Sequence, residues 1–566
     1  MNRAILQNPT EPFEMLCFFV GHESRRMHAS ENPVLEFMLC KFETYAPPSA
    51  LQASAAVTTL NRRLYLLLRD AIFNGQIAAG AKLPSSRSVA NALKIARNTV
   101  VYAYDQLAAE GYVSGNAGSG TFVNDTLADT NPAPADMSEV IRQASSLRPL
   151  LSRRGGELIA DARALATQSG AFVPGVPDVS QFPHAIWRRL QLGYWRRPNS
   201  SLMAYASDGG HLPLRKALCD YLSVARSVRC TPEQILITSG THQSIDLCGR
   251  LLGDVGEHAW IEDPCYWGAR NVLQMAGLEL HPVPVDEEGL NPQSQHLQHP
   301  PRLIYVTPSH QYPLGSIMSL SRRRLLLEYA RHHQCWILED DYDSEFRYNA
   351  RPLASLQGLD DHDRVIYMGT FSKAMYPVFR MGYMVLPLCL ARTFATAHTE
   401  LYRDGQLVLQ AALGDFIAQG YFSSHVRRTR LLYGERQRLL QQAIDISFPP
   451  AEAERLGIFV RGGDAGMHLV LELPAHCDDV AISKEAARYG VTARALSTYY
   501  ADPETAFTGL VLGYASVPEE TIPKAFSLLA SIIKAHQAIG PHRDSTASAS
   551  ARRRSAALNA LAWSGA

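Results

Sequence analysis

One lysine stands out for what surrounds it. Lys373 lies in GTFSKAMYPVFRMGYMVLP, residues 369–387, after the hydroxyl-bearing run Thr370-Phe371-Ser372 and seven residues before Arg380. Read alone, a lysine is an ordinary solvated charge. This one sits between two apolar, strand-like runs, Val365–Met368 and Met381–Leu386. In such a setting it has to be paired, shifted in pKa or used covalently. Two small hydroxyls and a planar cation are what a bound phosphate requires. A lysine beside a phosphate cradle suggests a pyridoxal 5'-phosphate Schiff base.

Other stretches offer compatible chemistry. Ser239-Gly240-Thr241-His242-Gln243 is a glycine-hydroxyl turn running into a helix, which presents free N–H groups to an anion. Glu262-Asp263-Pro264-Cys265-Tyr266 brings an aromatic to a strand end, either to stack on a planar ring or to pack. Glu339-Asp340-Asp341-Tyr342-Asp343 crowds acids whose mutual repulsion calls for a cation or a protonated partner. A metal is the rival for that cluster, but no histidine lies at ligand spacing beside it in sequence, and none is expected.

The elements that must position these residues alternate. Strands are expected at Ile235–Thr238, Ala259–Glu262, Leu303–Thr307, Cys335–Asp340 and Val365–Met368, with amphipathic helices between, such as Ser321–His333. This argues for a mostly parallel sheet covered on both faces, with ligands at the carboxyl ends of the strands. Upstream the pattern changes. Leu60–Asn74 has helical apolar spacing, Ser85 or Ser86 caps a second helix ending near Leu93, and Arg97-Asn98-Thr99 opens a third that Gly111 closes. Then YVSGNAGSGTFV reads as a hairpin wing. Between Leu60 and Gly111 seven cations face three anions in a chain whose net charge is zero. A basic helix-turn-helix suits phosphate neutralisation, with side chains at the start of its last helix reaching base edges.

Residues 64–123 closely resemble the winged helix-turn-helix of GntR-family bacterial transcription regulators, through G-x-K-L-P-S-x-R, R-N-T-V-x-x-A-Y and G-S-G-T-F-V. The resemblance implies DNA contacts by Arg87, Arg97, Asn98 and Thr99, and by Gly118 and Ser119 at the wing tip. It leaves Tyr102 and Tyr104 to packing or a backbone phosphate. The later motifs together resemble the fold-type-I pyridoxal-phosphate enzymes, the aspartate aminotransferase-like class. A helix-turn-helix joined to such a domain resembles the MocR subgroup of GntR regulators. The implied fold class is multidomain. An α+β winged helix-turn-helix precedes a large α/β fold-type-I transferase domain with a smaller C-terminal α/β subdomain.

By resemblance, Lys373 forms the internal aldimine, Asp340 pairs with the pyridinium nitrogen, Tyr342 bonds the phenolic oxygen and Tyr266 stacks on the ring. Thr241, His242, Thr370, Ser372 and Arg380 surround the phosphate, and Tyr205 reaches it from the neighbouring subunit of a homodimer. Asp340 rather than Asp341 rests on its spacing to Tyr342. Two departures matter. Aminotransferases carry an Asn-Pro-x-Gly element where this chain has Thr307–Gly315, with Tyr312 at the asparagine and His310 or Gln311 left to make its contact. Enzymes acting on α-amino acids carry an arginine that forks onto the substrate carboxylate, and Val511 holds its place. Arg494 is either a surface charge or a partner for another carboxylate. Cys265 and Ser227 stand where the subgroup often has glycine.

Composition bounds the rest. A 566-residue chain with 46% hydrophobic and 19% charged residues can bury a large multidomain core. Nine scattered cysteines without a CxxC pair read as thiols of a reducing, cytoplasmic compartment. No apolar run nears the roughly 20 residues of a membrane helix. The expected organisation is a poorly ordered extension over 1–57, the head over 58–123, a linker over 124–170 with a short helix from Met137 to Leu151, the cofactor domain over 171–538 and a disordered tail over 539–566. In that tail Arg552–Arg554 could touch DNA or another acidic partner. The leading expectation is a DNA-binding regulator whose effector is pyridoxal phosphate or an amine or amino acid on it. The loss at Val511 tilts this toward the cofactor itself, as in regulators of vitamin B6 synthesis. The rivals are an aminotransferase with a regulatory head and an inactive scaffold.

Overall fold

The computed structural model describes residues 32–45, 59–116, 119–125, 151–160, 169–197, 199–204, 209–348, 354–403, 405–502 and 505–539. They fall into two compact units, one within residues 1–150 and one within 151–566.

The first unit is a winged helix-turn-helix. Helix α1 spans Pro33–Lys41, α2 Leu60–Phe73, α3 Ser86–Leu93 and α4 Arg97–Ala109, followed by the hairpin β1 (Val113–Asn116) and β2 (Gly120–Val123). Leu64, Leu67, Leu68, Ala71 and Ile72 form the buried stripe of α2. The Ser85 hydroxyl accepts from the Ser88 N–H at 3.1 Å and so caps α3. The turn into α4 passes through Lys94 at φ +52°. Tyr104 is buried and donates to the Pro84 carbonyl at 2.9 Å, which ties α4 to the turn before α3. Its role is packing, while Tyr102 is exposed. The wing pairs Val113 with Val123 and is held at its base by a bridge between Lys82 and Phe122.

Helix α1 corrects the expectation of a poorly ordered extension over 1–57. Pro33 opens it, the Asn32 side chain accepts from Val34 and Leu35 N–H, and Val34, Leu35, Met38 and Phe42 join the core of the head. A single nine-residue helix shows too little periodicity to be seen in sequence. The helix expected over Met137–Leu151 and the tail expected over 539–566 lie outside the described residues, apart from Leu151 and from Ile539, which ends a helix; a helix is also found at Arg153–Ala160.

The second unit is built on an eight-stranded sheet in the order β3-β10-β9-β8-β7-β4-β5-β6. The strands are β3 (Ile235–Thr238), β4 (His258–Asp263), β5 (Glu279–Asp286), β6 (Gly289–Leu290), β7 (Leu303–Val306), β8 (Trp336–Asp341), β9 (Val365–Thr370) and β10 (Gly382–Val385). The pairs among β4, β5, β7, β8 and β9 are parallel. β10 runs antiparallel to both β9 and β3. The connection from β9 to β10, residues 371–381, is too short to cross over and re-enter in parallel with a full helix. Residues of β3, β7, β8 and β10 are buried throughout, as expected for a sheet covered on both faces.

A second sheet, in the order β11-β12-β14-β13, is antiparallel and comprises Phe459–Gly462, His468–Glu472, Gly509–Gly513 and Arg494–Ala495 respectively. Leu469, Leu471, Leu510 and Leu512 pack in one core with Tyr433 and Phe526 of the helices Tyr421–Ser447 and Ile522–Ile539. Val470 and Val511, on the other face, join Leu314, Leu496, Tyr499 and Tyr500. Among the described residues no helix is long and apolar enough to cross a membrane.

Candidate functional site

Lys373 stands on the short helix Phe371–Ala374, directly after β9, at the carboxyl end of that strand. β9 is paired with β8 so that Asp340 lies beside Met368 and Asp341 beside Gly369. Strand parity sends these two aspartates to opposite faces. Asp341 accepts from the Arg226 Nε and from the Tyr367 hydroxyl, both at 2.6 Å, and is neutralised there. Asp340 accepts from the Tyr305 hydroxyl at 2.7 Å through one oxygen, while its Oδ1 is buried without a partner. Burial pushes the Asp340 carboxyl up to about 7, with the Tyr305 bond opposing and Asp341 reinforcing. A buried orphan acceptor of this kind calls for a donor.

The Lys373 amine donates to the Gly175 carbonyl at 2.7 Å. Burial lowers its pKa, Arg494 adding to the fall and Asp343 and Asp340 opposing it. Gly175, at φ +72°, lies close against the lysine, and a Cβ there would come within 2.9 Å of its nitrogen and push that side chain aside.

A candidate cradle for an anion lies where β3 and β9 end and β10 begins. Gly382 of β10 pairs with Thr238 on one side and Thr370 on the other. A Cβ on Gly382 would lie 2.8 Å from the Gly240 Cα and from the Gly369 carbonyl oxygen, so the three segments are in close contact. Gly240, at φ +111°, precedes the helix Thr241–Leu252, whose start carries no side-chain cap. That start therefore keeps N–H groups for an anion. Thr370 accepts from the Ser372 N–H at 3.2 Å, and Arg380 follows at φ +46° with an exposed side chain. Thr241, Thr370, Ser372 and Arg380 are thus gathered by adjoining segments. His242 is committed elsewhere, its Nε2 lying 2.8 Å from the Tyr266 hydroxyl. Burial, then the charges of Arg380 and Lys373, lower its pKa. Gly268 makes that pairing possible, since a Cβ would sit 2.4 Å from the same nitrogen. Tyr205 and Gly118 lie outside the described residues.

On the far side of Asp340, the Tyr342 hydroxyl meets the His310 Nδ1 at 2.9 Å, and the same nitrogen lies 3.1 Å from Asp343. His310 Nε2 is buried without a partner. Gln311 cannot substitute for it. The Gln311 amide donates to Glu262, Pro264 and Tyr312 and its oxygen accepts from Leu314, so it braces the loop. The acid cluster, without a histidine beside it in sequence, has His310 and His468 beside Asp343 in space. Tyr305, Arg226, Gly175 and His468 went unnoticed in sequence because each meets its partner across a strand or a loop.

In the head, Arg87, Arg97 and Asn98 are exposed and Thr99 is half-buried on the two helices of the motif. The Arg97 Nε reaches the Ser86 hydroxyl at 3.4 Å, which joins the start of α4 to α3. Ser119 is exposed at the wing.

Comparison with known proteins covers both units. Residues 175–527 match aminotransferase class I and II, and residues 60–123 match the bacterial regulatory proteins of the gntR family. The chain is 37% identical to the probable rhizopine catabolism regulatory protein MocR of Rhizobium meliloti, over 85% of this chain and 95% of that protein. It is 33% identical to the pyridoxine biosynthesis transcriptional regulator PdxR of Corynebacterium glutamicum, over 82% and 94%. Among solved structures it resembles LysN, an alpha-aminoadipate aminotransferase from Thermus thermophilus complexed with N-(5'-phosphopyridoxyl)-L-leucine. That match has 26% identity and a TM-score of 0.61, covering 69% of this chain and 98% of that one. A GntR head and an aminotransferase-like body in one chain, aligned nearly end to end with such regulators, place this protein in the MocR subgroup of GntR-family transcriptional regulators.

Proposed function

We propose that the large unit holds pyridoxal 5'-phosphate on Lys373, and that the regulator's effector is this cofactor or an amine or amino acid docked onto it. The observation that carries the reading is the free, buried Oδ1 of Asp340 on the face away from Arg226. It is placed to accept from a protonated pyridine nitrogen. The cofactor, when bound, supplies an electron-withdrawing ring and an aldehyde able to take an amine. Around it Tyr266 faces the ring, Tyr342 with His310 holds the phenolic oxygen, and Thr241, Thr370, Ser372 and Arg380 hold the phosphate. His242 acts through Tyr266. Tyr205 of a partner subunit completes the cradle in a homodimer.

In the head, Arg87, Arg97, Asn98 and Thr99 meet the major groove of double-stranded promoter DNA, with Gly118 and Ser119 at the wing tip entering beside it. Removing one cation that neutralises a DNA phosphate lowers the salt slope by about 0.9.

Two measurements test this. Lys373→Ala should abolish the near-ultraviolet absorbance of the bound cofactor, and a variant that keeps that band refutes the attachment. Arg97→Ala should weaken operator binding, and unchanged affinity removes Arg97 from the interface. A second reading, an aminotransferase with a regulatory head, is favoured by the burial of Lys373 at the strand end, which lowers the pKa of its amine and so eases proton transfer through it. Sustained turnover of an amino donor and a keto acid would establish it.

A further inference from the structure

The eight-stranded sheet carries a second cluster of ligating side chains, at the end away from Lys373. β4 and β5 are parallel, and their register sets His258 beside Glu279 and Trp260 beside His281. Residues two apart on a strand share a face, as do residues paired side by side. His258, Glu279 and His281 therefore project from one face. His258 opens β4, whereas Tyr266 follows the other end of that strand. The cluster thus stands at the amino ends of β4 and β5, and the anion cradle at the carboxyl ends of β3 and β9.

The three side chains are spaced for chelation. One ligand atom from each lies within 4.8 Å of the other two. The His258 Nε2 is 3.8 Å from the Glu279 carboxylate. The His258 and His281 rings stack with centroids 4.3 Å apart and planes 26° from parallel. The His281 Nε2 is buried without a hydrogen-bond partner. His296, by contrast, has both ring nitrogens engaged, by the Gln293 N–H at 3.0 Å and the Pro282 carbonyl at 3.1 Å. Burial, then the charge of His258, lowers the His281 pKa, with Glu279 opposing. The neutral imidazole is the ligating form. Two imidazoles with one carboxylate suit zinc and its neighbours, whereas magnesium and calcium want oxygen throughout. Zinc bonds of about 2.0–2.1 Å would set the donor atoms about 3.3 Å from one another, so small side-chain rotations close the set.

We infer that His258, Glu279 and His281 form a binding site for a zinc-class divalent ion, with a fourth position open to water. The ion takes the lone pair of the His281 Nε2 and clamps the start of β5 to the start of β4. His299, exposed in the loop ahead of β7, borders the site with its ring 6.5 Å from that of His258. The site uses no group of the Lys373 pocket and stands whether or not a cofactor is bound there.

The test uses full-length protein made without a histidine tag, stripped with EDTA and titrated with Zn2+ by calorimetry. One ion per chain should bind, and Mg2+ should give no binding heat. His258→Gln and His281→Gln should each weaken Zn2+ by more than the roughly 10- to 100-fold lost with an outer partner of a zinc ligand. Glu279→Gln should weaken it as well. X-ray absorption of the zinc-loaded wild type should show nitrogen and oxygen donors at about 2.0–2.2 Å. The inference is overturned if the wild type binds no Zn2+, or if the absorption shows a sulfur shell at about 2.3 Å. It is also overturned if the double variant His258→Gln, His281→Gln binds like the wild type. The ion would then sit on the exposed pair His332 and His333, or on the buried group His310, Asp343 and His468. Glu279 is exposed, so Glu279→Gln tests the site without disturbing the core, and unchanged affinity in that variant overturns the inference too.

Discussion

Asp340→Asn and Asp341→Asn are isosteric changes at adjacent positions, and the structure gives them opposite consequences. Burial raises the Asp340 carboxyl from 3.8 to about 7. A carboxyl raised on folding favours the fold while it is protonated. Its contribution is complete below the unfolded value of 3.8 and is lost as the pH climbs through about 7. By proton linkage that rise sets a ceiling of about 4 kcal/mol lost by the cofactor-free protein at alkaline pH. Asp340→Asn removes the loss, because an amide oxygen still accepts from Tyr305. Burial also raises Glu262, Glu339 and Glu345 to about 7, so only the difference between variant and wild type isolates Asp340. Asp341→Asn instead strips the counter-charge from Arg226, in a pair 2.6 Å apart whose side chains are 4% and 1% exposed. An uncompensated buried guanidinium costs about 3–5 kcal/mol. Urea unfolding followed by tryptophan fluorescence measures both effects, since all six tryptophans lie beyond residue 150 and the five among the described residues belong to the large unit. Between about pH 5 and about pH 8 the cofactor-free wild type should weaken. Asp340→Asn should weaken less and gain less from added cofactor, and Asp341→Asn should be weaker throughout. Equal destabilisation by both substitutions with an unchanged pH slope would refute the assignment of the two aspartates to different environments.

Gly382→Ala would drive a methyl group to 2.8 Å from the Gly240 Cα and the Gly369 oxygen, both backbone atoms that cannot rotate aside. Overpacking of about 1–3 kcal/mol should appear in the same unfolding assay, and cofactor affinity should fall. A titration showing wild-type affinity would mean that the anion is held elsewhere. Tyr104→Phe removes the bond to the Pro84 carbonyl and should lower the head's stability by about 1–2 kcal/mol in a circular-dichroism melt, without reducing operator affinity below the melting range. A clear loss of affinity there would give Tyr104 a place in the interface.

The alternation of apolar strands and helices located β3, β4, β7, β8 and β9 within a residue or two, because each is a short buried run bounded by a turn. The lysine, the acids and the hydroxyls were visible for the same reason, since they follow those runs directly. Pairings between distant segments were not visible. Asp341 meets Arg226 over 115 residues, and Lys373 meets Gly175 over 198. The choice of Asp340 over Asp341 had only a spacing behind it, whereas strand parity and the Arg226 pair supply a physical reason. Helix α1 was missed because one short helix borrows its stability from the head's core and not from a pattern of its own.

Arg494 shows the same divide most sharply. Sequence comparison runs along a strand, and along β14 it registers only a loss at Val511. A ligand meets the sheet face, where neighbours one strand apart are about 5 Å from each other. On that scale Val511 and Arg494 are one position, although 17 residues separate them in the chain.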